Sequence, residues 1–320
     1  MRVLLTGAAG FIGSALLRRL TADGHHVVAL DDFSRGNAER LQGTGCEIHA
    51  GDIRDERAVL DAMWGCDTVV HMAYFQGTAA FYSEPRLVLD VALRGMLNVL
   101  SACETTGCGD LLLVSSSEVY QAAPVIPAPE DVPLSVPDVL NPRYSYGGGK
   151  IACELMALAW QRAGIPDRAV IARPHNIYAA DMGRDHVIPQ FCLRMNDLVR
   201  EHPEGVIPFP IQGSGQETRS FCHIDDCVDQ MILLLERAGD GPSVWHLGTQ
   251  DERTIAEVAH AVAACYGRDV KIVPGALLKG SPARRVPDTS KIEALGWQAS
   301  QRTPFATGLA RTVEFYREHG

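Results

Sequence analysis

The stretch TGAAGFIG, residues 6–13, decides the fold because it places three glycines between two segments of different periodicity. Before it, residues 2–7 form a short apolar run that ends at a glycine, as a buried strand does. After it, residues 11–24 show helical periodicity and again end at a glycine. The chain therefore begins with a predicted strand, a glycine-rich turn and a predicted helix.

The glycines of this turn predict a loop that binds a dinucleotide. Without side chains, the backbone of such a loop can approach a pyrophosphate, and the N-terminus of the following helix supplies N–H donors and a partial positive charge. The spacing is G-x-x-G-x-x-G instead of G-x-G-x-x-G, and an ordinary tight turn is the alternative. We expect cofactor contacts from Gly7, Gly10, Phe11, Ile12 and Gly13.

Strands and helices alternate along the first half of the chain. The predicted strands lie at residues 2–7, 26–32, 46–52, 67–73, 110–117 and 168–178, and the predicted helices at 11–24, 54–65, 85–107 and 151–164. This alternation predicts an α/β fold with a doubly wound parallel sheet of the Rossmann type.

The alternation loosens after residue 178, where we predict helices near 225–238 and 305–319. We therefore expect a dinucleotide-binding domain at residues 1–178. Residues 179–320 should mainly form a smaller, interleaved α/β lobe that binds the substrate, with some segments returning to the first domain. Between the last two strands of the first half, residues 124–142 hold six of the eighteen prolines and are predicted to be an irregular loop.

The bulk composition excludes several classes of function. The 320 residues are 46% hydrophobic with a formal net charge of −10, which suits a globular protein and disfavours a nucleic-acid partner, since that needs a basic face. We find no run of 18 apolar residues and no secretory leader, so we expect no membrane partner. Nine cysteines without a C-x-x-C pair predict reduced thiols, a cytoplasmic location and no metal site.

Acidic residues at strand ends favour NAD over NADP. Asp31, with Asp32 beside it, ends the second strand, where a carboxylate accepts from the adenosine ribose hydroxyls and repels a 2′-phosphate. A solvated loop carboxylate is the alternative interpretation of Asp31. Asp52 ends the third strand and is expected to reach the adenine. Further cofactor contacts are expected from Ile53, Met72 and Ala73.

Tyr146 and Lys150 lie four residues apart in YSYGGGK, residues 144–150, at the start of a predicted helix. Residues at this spacing share one helix face, and a nearby ammonium favours the phenolate form of a tyrosine. Tyr146 is therefore a candidate general base toward an alcohol. The intervening glycines leave room for a cofactor or substrate to approach the backbone. The alternative is a surface Tyr and Lys on a frayed helix.

Polar residues follow the fifth predicted strand. Ser115, Ser116 and Ser117 stand at its carboxyl end, which is where ligands bind in open α/β sheets. One of these hydroxyls is expected to bond the oxygen that Tyr146 deprotonates. Glu118 follows directly and is either a second base or a loop residue without a chemical role.

Taken together, these motifs resemble one enzyme family. The glycine loop, Asp31, VVHMA, SSSEVY, YSYGGGK, RPHNIY, RSFCHIDD and RRVPDTSKIEALGW occur in the order typical of extended short-chain dehydrogenases/reductases, in the NAD-dependent nucleotide-sugar epimerase/dehydratase group. The resemblance covers essentially the whole chain. It is specific for the family and much less so for one substrate.

The resemblance implies a reaction and site residues. Tightly bound NAD would take a hydride from C4 of a nucleotide-diphosphate sugar and later return it. Tyr146 would be the base, Lys150 its electrostatic partner and a ligand of the nicotinamide ribose, and Ser116 the hydroxyl that bonds O4. Asn176 matches a family asparagine near the sugar diphosphate, and two arginines match positions that hold the diphosphate. These arginines are Arg219 and Arg285.

Several reactions of the C4 ketone stay open. A 4-epimerase needs only the hydride transfer and a rotation of the keto sugar, and we rank it first. A dehydratase or a uronate decarboxylase also acts at C5, where Glu118 would serve, with Ser116 and Ser117 in place of the usual threonine and aspartate. A 4-ketoreductase and a catalytically inactive NAD-sensing module are the remaining alternatives.

The chain departs from the family pattern at a few positions. The segment AYFQGT, residues 73–78, lies where the sugar is expected, so Tyr74 and Gln76 are candidate substrate contacts and the sugar is predicted to be uncommon. The three glycines replace a more usual alanine or serine. The family also implies a homodimer through helices at 85–106 and 147–163.

Overall fold

The computed structural model describes residues 1–239, 241–276, 280 and 282–320. The chain divides into two compact units. The first unit consists of Met1–Tyr120, Pro133–Pro174 and Val228–His246, and the second of Gln121–Val132, His175–Cys227 and Leu247–Gly320.

The secondary-structure elements have the following bounds. The strands are β1 Arg2–Thr6, β2 His26–Asp31, β3 Glu47–Ala50, β4 Thr68–His71, β5 Asp110–Val114, β6 Arg168–Pro174, β7 Ile177–Tyr178, β8 Ile207–Ile211, β9 Thr218–Ser220, β10 Cys222–His223, β11 Ser243–Leu247, β12 Glu252–Thr254, β13 Val270–Pro274 and β14 Arg284–Arg285. The helices are α1 Phe11–Ala22, α2 Glu56–Met63, α3 Thr78–Ser83, α4 Pro85–Thr106, α5 Ser145–Arg162, α6 Val187–Glu201, α7 Ile224–Arg237, α8 Ile255–Cys265, α9 Ser290–Leu295 and α10 Phe305–His319.

A seven-stranded sheet in the order β11-β6-β5-β4-β1-β2-β3 forms the centre of the first unit. The pairings from β3 through β6 are parallel, with Leu4 opposite both Val28 and Val69. The order reverses direction at β1 and β4, which is the topology of a doubly wound sheet. The predicted Rossmann-type α/β fold is therefore confirmed.

Apolar strand residues explain why this sheet forms. Leu4, Val28, Val69, Leu113 and Ile171 come from five adjacent strands and are all buried in one core. Burial of each such side chain contributes about 1.5–3 kcal/mol, and parallel strands covered by helices bury both faces. The strands therefore read as continuous apolar runs in the sequence.

Predicted strands extend too far, and for three of them the structure shows the cause. The predicted strand at 168–178 ends as β6 at Pro174, and β7 pairs separately with β10, because Asn176 between them has a left-handed φ of 43°. The strand predicted at 110–117 stops at Val114, since Ser116 caps a short 3-10 helix. The strand predicted at 67–73 stops at His71, where the next two backbone N–H groups turn to a side chain.

The second unit contains more regular structure than its sequence predicts. Its small sheets are β7 with β10, β8 with β13, and β9 between β12 and β14. Helices α6, α8 and α10 pack around one core that includes Phe191, Phe209, Val262 and Leu309. Helices α6 and α8, and strand β11 of the large sheet, were not predicted. The predicted irregular loop has neither α-helix nor strand between residues 124 and 141.

Candidate active site

The glycine loop between β1 and α1 is closed so tightly that a side chain cannot be accommodated at two of its positions. A Cβ on Gly13 would lie 2.2 Å from the carbonyl oxygen of Gly7, and one on Gly7 would lie 2.8 Å from the backbone of Ala73. Gly7 also has a left-handed φ of 70°, whereas a Cβ on Gly10 would lie 3.1 Å from the Gly7 oxygen. The loop thus brings backbone close to the first turn of α1, as pyrophosphate binding requires.

Asp31 ties this loop to the end of β2. Its two carboxylate oxygens accept hydrogen bonds from the backbone N–H groups of Ala9 and Phe33, each at 2.9 Å. Burial raises the pKa of Asp31, although the two backbone bonds act in the opposite direction. Each oxygen keeps a further lone pair, so the carboxylate can still accept from ribose hydroxyls. Asp32 is exposed and accepts from the backbone N–H of Ser34.

Asp52 lies in an ion pair that its sequence context did not predict. Its carboxylate contacts the Arg54 guanidinium at 2.5 Å, and Arg54 also reaches Asp90 at 3.2 Å. The hydrogen bonds from Arg54 lower the pKa of Asp52. Ile53 is buried against α4, and a Cβ at Gly95 would lie 2.2 Å from its Cδ1. Adenine contact by Asp52 and Ile53 stays a prediction.

A threonine and a histidine fix the end of β4. The Thr6 Oγ1 lies 2.7 Å from His71 Nδ1 and accepts from the backbone N–H groups of Met72 and Ala73 at 3.1 Å each. Burial lowers the pKa of His71 to about 3, so the ring is neutral at neutral pH. The segment that leaves β4 is therefore held at its first three residues.

Tyr146 and Lys150 both lie buried on the first turns of α5. Their side chains are on one face, and Lys150 is 4% exposed. Its ammonium donates to the carbonyl oxygen of Val114, at the end of β5, at 2.7 Å. Burial lowers the pKa of Lys150 to about 8. The frayed-surface interpretation of this pair is therefore wrong.

Aromatic rings surround this pair. The Tyr74 ring stands edge-on to the Tyr146 ring, with centroids 5.0 Å apart, and Phe81 stacks on Tyr146 at 4.8 Å. The Lys150 Nζ lies 4.1 Å from the Tyr74 centroid and 6.0 Å from that of Tyr146. Tyr74, a predicted sugar contact, thus packs on the Tyr146–Lys150 pair. Gln76 is exposed.

The three serines after β5 have different environments. Ser116 is partly exposed, and its hydroxyl accepts from the backbone N–H of Glu118 at 3.2 Å. Ser117 is buried, and Ser115 donates to the Glu154 carboxylate at 2.5 Å. The Glu118 carboxylate lies 3.8 Å from the Arg143 guanidinium. Of the three hydroxyls, Ser116 has the exposure that contact with a substrate needs.

Sequence reasoning missed a buried polar network behind these serines. Arg173 forms a two-pronged ion pair with Glu154, with N–O distances of 2.9 and 2.6 Å, and also donates to Tyr120. The Tyr120 hydroxyl lies 2.6 Å from His246 Nε2. Removing one partner of such a pair leaves a buried charge, which costs about 3–5 kcal/mol. Its members are far apart in the chain, so local spacing gives no signal.

The predicted diphosphate contacts lie in the second unit. Arg219 on β9 is paired in register with Arg285 on β14, so the two side chains face the same side of the sheet. Arg253 on β12 pairs with Arg219 from the other side and was not predicted. The Asn176 amide donates to the carbonyl oxygen of Ser220 at 2.8 Å. Arg253 is ion-paired with Asp251 at 2.9 Å, so phosphate contact stays a prediction for Arg219 and Arg285.

The described part of the chain lacks two further kinds of feature. No helix there is long and apolar enough to cross a bilayer. Among the same residues, no three His, Cys, Asp or Glu side chains are grouped as a metal ion would need.

Comparison with known proteins places the chain in a family. The sequence profile of the NAD dependent epimerase/dehydratase family matches residues 3–248. The UDP-glucose 4-epimerase of Mycolicibacterium smegmatis is 31% identical over 99% of both chains. A dTDP-4-dehydro-6-deoxy-D-allose reductase of Streptomyces bikiniensis is 32% identical over 99% of this chain and 96% of its own length.

A solved structure agrees with the sequence comparison. DesIV, a dTDP-glucose 4,6-dehydratase of Streptomyces venezuelae solved with NAD bound, superposes with a TM-score of 0.86. It is 29% identical, with 99% of this chain and 97% of that chain covered. These relatives are named for three different reactions on nucleotide sugars, so they agree on the family and differ in the reaction. The chain belongs to the NAD dependent epimerase/dehydratase family.

Proposed function

We propose that the chain is a nucleotide-sugar 4-epimerase that oxidises C4 of the sugar transiently. The observation that carries this proposal is the buried Tyr146–Lys150 pair on α5. An ammonium that lies 6.0 Å from the Tyr146 centroid and is fixed to the end of β5 favours the phenolate form of that tyrosine.

The residues of the first unit divide the chemistry as follows. NAD, when bound, supplies the acceptor and later the donor of the hydrogen on C4. Tyr146 takes the proton of the 4-hydroxyl as general base, and Ser116 bonds O4 while the charge changes. Tyr146 returns the proton after the keto sugar has turned its other face. Gly7, Gly13 and Asp31 hold the cofactor's pyrophosphate and ribose.

The second unit supplies the contacts for the nucleotide diphosphate in this proposal. Arg219 and Arg285 face the same side of the small sheet, and guanidinium groups bond phosphate oxygens in pairs. Asn176, whose amide is anchored to Ser220, supplies a further polar contact. Paired guanidinium groups beside a polar amide favour a nucleoside-diphosphate sugar as the substrate.

A dehydratase or decarboxylase is the second candidate, and Glu118 is the observation that favours it. The Glu118 carboxylate lies 3.8 Å from the Arg143 guanidinium, and its side chain is 24% exposed, so a substrate can reach it. The relatives include a dehydratase as well as an epimerase, which supports keeping this second candidate.

Incubation with a panel of nucleotide sugars in D2O, followed by NMR and mass spectrometry, tests both candidates. A 4-epimerase gives a product of unchanged mass with inverted C4 and no deuterium at carbon. Deuterium at C5, or loss of water or carbon dioxide, selects the second candidate. Net consumption of NADH with a 4-keto sugar would instead indicate a ketoreductase, and no reaction with any sugar would contradict the proposal.

Two substitutions assign the residues in that assay. Tyr146→Phe should reduce turnover by about 10²–10⁴-fold because the general base is lost, while NAD binding is retained. Tyr144→Phe, two residues earlier, is the matched control. Glu118→Gln should abolish deuterium exchange at C5 only if Glu118 is a base there. An active Tyr146→Phe enzyme would overturn the catalytic assignment.

We also propose a homodimer through α4 and α5. The two helices pack on each other, and α4 exposes Leu89, Leu93 and Leu97 by 37%, 38% and 44% at a spacing of four residues. Such an apolar stripe fits a second copy of the same helix pair. Leu93→Glu should convert the dimer to a monomer in light scattering, and a monomeric wild type would contradict this proposal.

A further inference from the structure

The glycines between Tyr146 and Lys150 are not equivalent. A Cβ on Gly149 would lie 2.3 Å from the Tyr74 hydroxyl oxygen, with Ala92 and Leu89 farther away at 3.4 Å. A Cβ on Gly148 would meet only Val136, at an ordinary 3.5 Å. The space that a side chain at position 149 would occupy is therefore filled by a different side chain.

That other side chain, Tyr74, contacts both members of the pair. Its hydroxyl donates to the carbonyl oxygen of Tyr146 at 3.3 Å, and its ring stands edge-on to the Tyr146 ring. Its face covers the Lys150 ammonium at 4.1 Å. Burial raises the pKa of Tyr74 well above its usual value, so the phenol stays neutral and meets the ammonium through the ring.

We propose that Tyr74 is a positioning residue for the Tyr146–Lys150 pair and that Gly149 is the space that admits it. A buried ammonium needs partners on every side, and here one carbonyl and one aromatic face restrict where it can lie. Without the ring, the Val114 carbonyl alone holds the ammonium, and its distance from Tyr146 is less restricted. The inference rests on the proposed function only in assigning proton transfer to Tyr146.

Several titratable groups face the Lys150 ammonium and must be considered when its protonation is followed. They come from the end of β4 and from α5 itself. They are His71, Tyr74, Tyr146, Cys153 and Glu154.

A double-mutant cycle tests whether Gly149 is required because of the Tyr74 hydroxyl. Gly149→Ala should reduce kcat by about tenfold or more, since small displacements of reacting groups are costly, with KM for the sugar changed less than about twofold. Tyr74→Phe removes the clashing oxygen and keeps the ring, so it should lose only about threefold. Adding Gly149→Ala to Tyr74→Phe should then cost no more than about twofold. Gly148→Ala is the matched control and should retain wild-type activity.

Tyr74→Ala separates positioning from packing. We expect a loss in kcat of about 10–100-fold and a shift of the Tyr146-dependent limb of the pH profile to higher pH by about one unit. Phenolate absorbance, corrected with Tyr146→Phe, follows the same ionisation without substrate or cofactor. If the wild type converts no sugar, the proposed function fails, and this titration still decides the role of Tyr74.

Three results would overturn the inference. Gly149→Ala could be equally harmful with Tyr74 and with Tyr74→Phe, which would show that the hydroxyl is not what requires the glycine. Tyr74→Ala could leave kcat and the phenolate titration unchanged. It could instead raise KM for the sugar alone, which would make Tyr74 a substrate contact. Should Tyr74→Ala not fold, the cycle with Tyr74→Phe decides.

Discussion

Two groups of glycines begin two helices of the first unit, and they are required for different reasons. In the loop before α1, a Cβ on Gly13 or Gly7 would meet backbone atoms at 2.2 or 2.8 Å. At the start of α5, a Cβ on Gly149 would meet the end of the Tyr74 side chain, and one on Gly148 would meet nothing closer than 3.5 Å. A clash with backbone atoms cannot be relieved by a substitution, whereas a clash with the end of a side chain can.

The short segment that follows β4 contacts both groups of glycines. The residues after β4 pass beneath the glycine loop, where Ala73 backbone faces Gly7, and the next residue, Tyr74, reaches Gly149. Thr6 and His71 hold the start of this segment. The glycine loop and the start of α5 therefore depend on the same few residues, the loop through the backbone of Ala73 and the helix through the side chain of Tyr74.

Gly13→Ala should have the largest effect, because the clash is with a backbone oxygen. Overpacking against atoms that cannot move costs about 3 kcal/mol, and the displaced loop should lose NAD affinity. Gly10→Ala, with 3.1 Å to the same oxygen, should cost clearly less. Urea unfolding and NAD titration measure both. Equal losses at the two positions would mean that backbone contact does not govern this loop.

The free energy of unfolding should fall in acid because of His71, which holds the segment that contacts both groups of glycines. Its folded pKa of about 3 lies below the ordinary 6.5, so the unfolded chain takes up a proton that the folded chain refuses. Its contribution to stability is thus present above pH 6.5 and is lost as the pH falls toward 3. Between pH 7 and pH 5 the loss should be about 2 kcal/mol.

A His71→Asn variant is the comparison for this prediction. Asparagine keeps a hydrogen-bonding group near Thr6 and does not titrate. The free energy of unfolding of the variant should therefore fall less between pH 7 and pH 5 than that of the wild type, whatever its absolute stability. Parallel pH profiles for the two proteins would show that the neutral buried imidazole is not responsible.

Gly149→Ala should destabilise by about 1 kcal/mol, the net of a steric loss and the gain that alanine brings to a helix interior. In the Tyr74→Phe background the steric loss disappears, so the same change should stabilise the protein by about 0.5 kcal/mol. Urea unfolding of the four proteins gives the coupling. If Gly149→Ala changed the free energy of unfolding with the same sign in both backgrounds, the Tyr74 hydroxyl would not be the reason for the glycine.

The two groups of glycines also show which features can be predicted from the sequence and which cannot. The loop of Gly7 to Gly13 is local, and strand, turn and helix follow each other within twenty residues, so its fold and chemistry could be predicted. The partner of Gly149 is 75 positions away, and only the folded chain brings Tyr74 to it. The Glu154–Arg173 ion pair and Arg253 were missed for the same reason.

Missed elements have a similar cause. Strand β11 is five residues long, and its neighbour β6 lies far away in the chain, so its pairing has no local signal. The strand predicted through residue 178 ends early because a left-handed φ at Asn176 interrupts the extended backbone. Local patterns predicted the large sheet, whereas two of the small sheets of the second unit are built from pairings of only two or three residues.

Gly148→Ala should have the smallest effect, and its sign distinguishes two reasons for the glycine run. Alanine at a helical position with an ordinary 3.5 Å contact should stabilise the protein by about 0.5–1 kcal/mol. If activity is also retained, the reaction does not require a glycine at position 148. Only Gly149 is then required, because the Tyr74 side chain occupies the space next to it. If stability rises while kcat/KM falls, a ligand approaches the helix at Gly148, and the run serves substrate and side chain together. Unfolding and kinetic measurements on the same preparation separate these cases, because the side-chain explanation predicts that both quantities are maintained or improved.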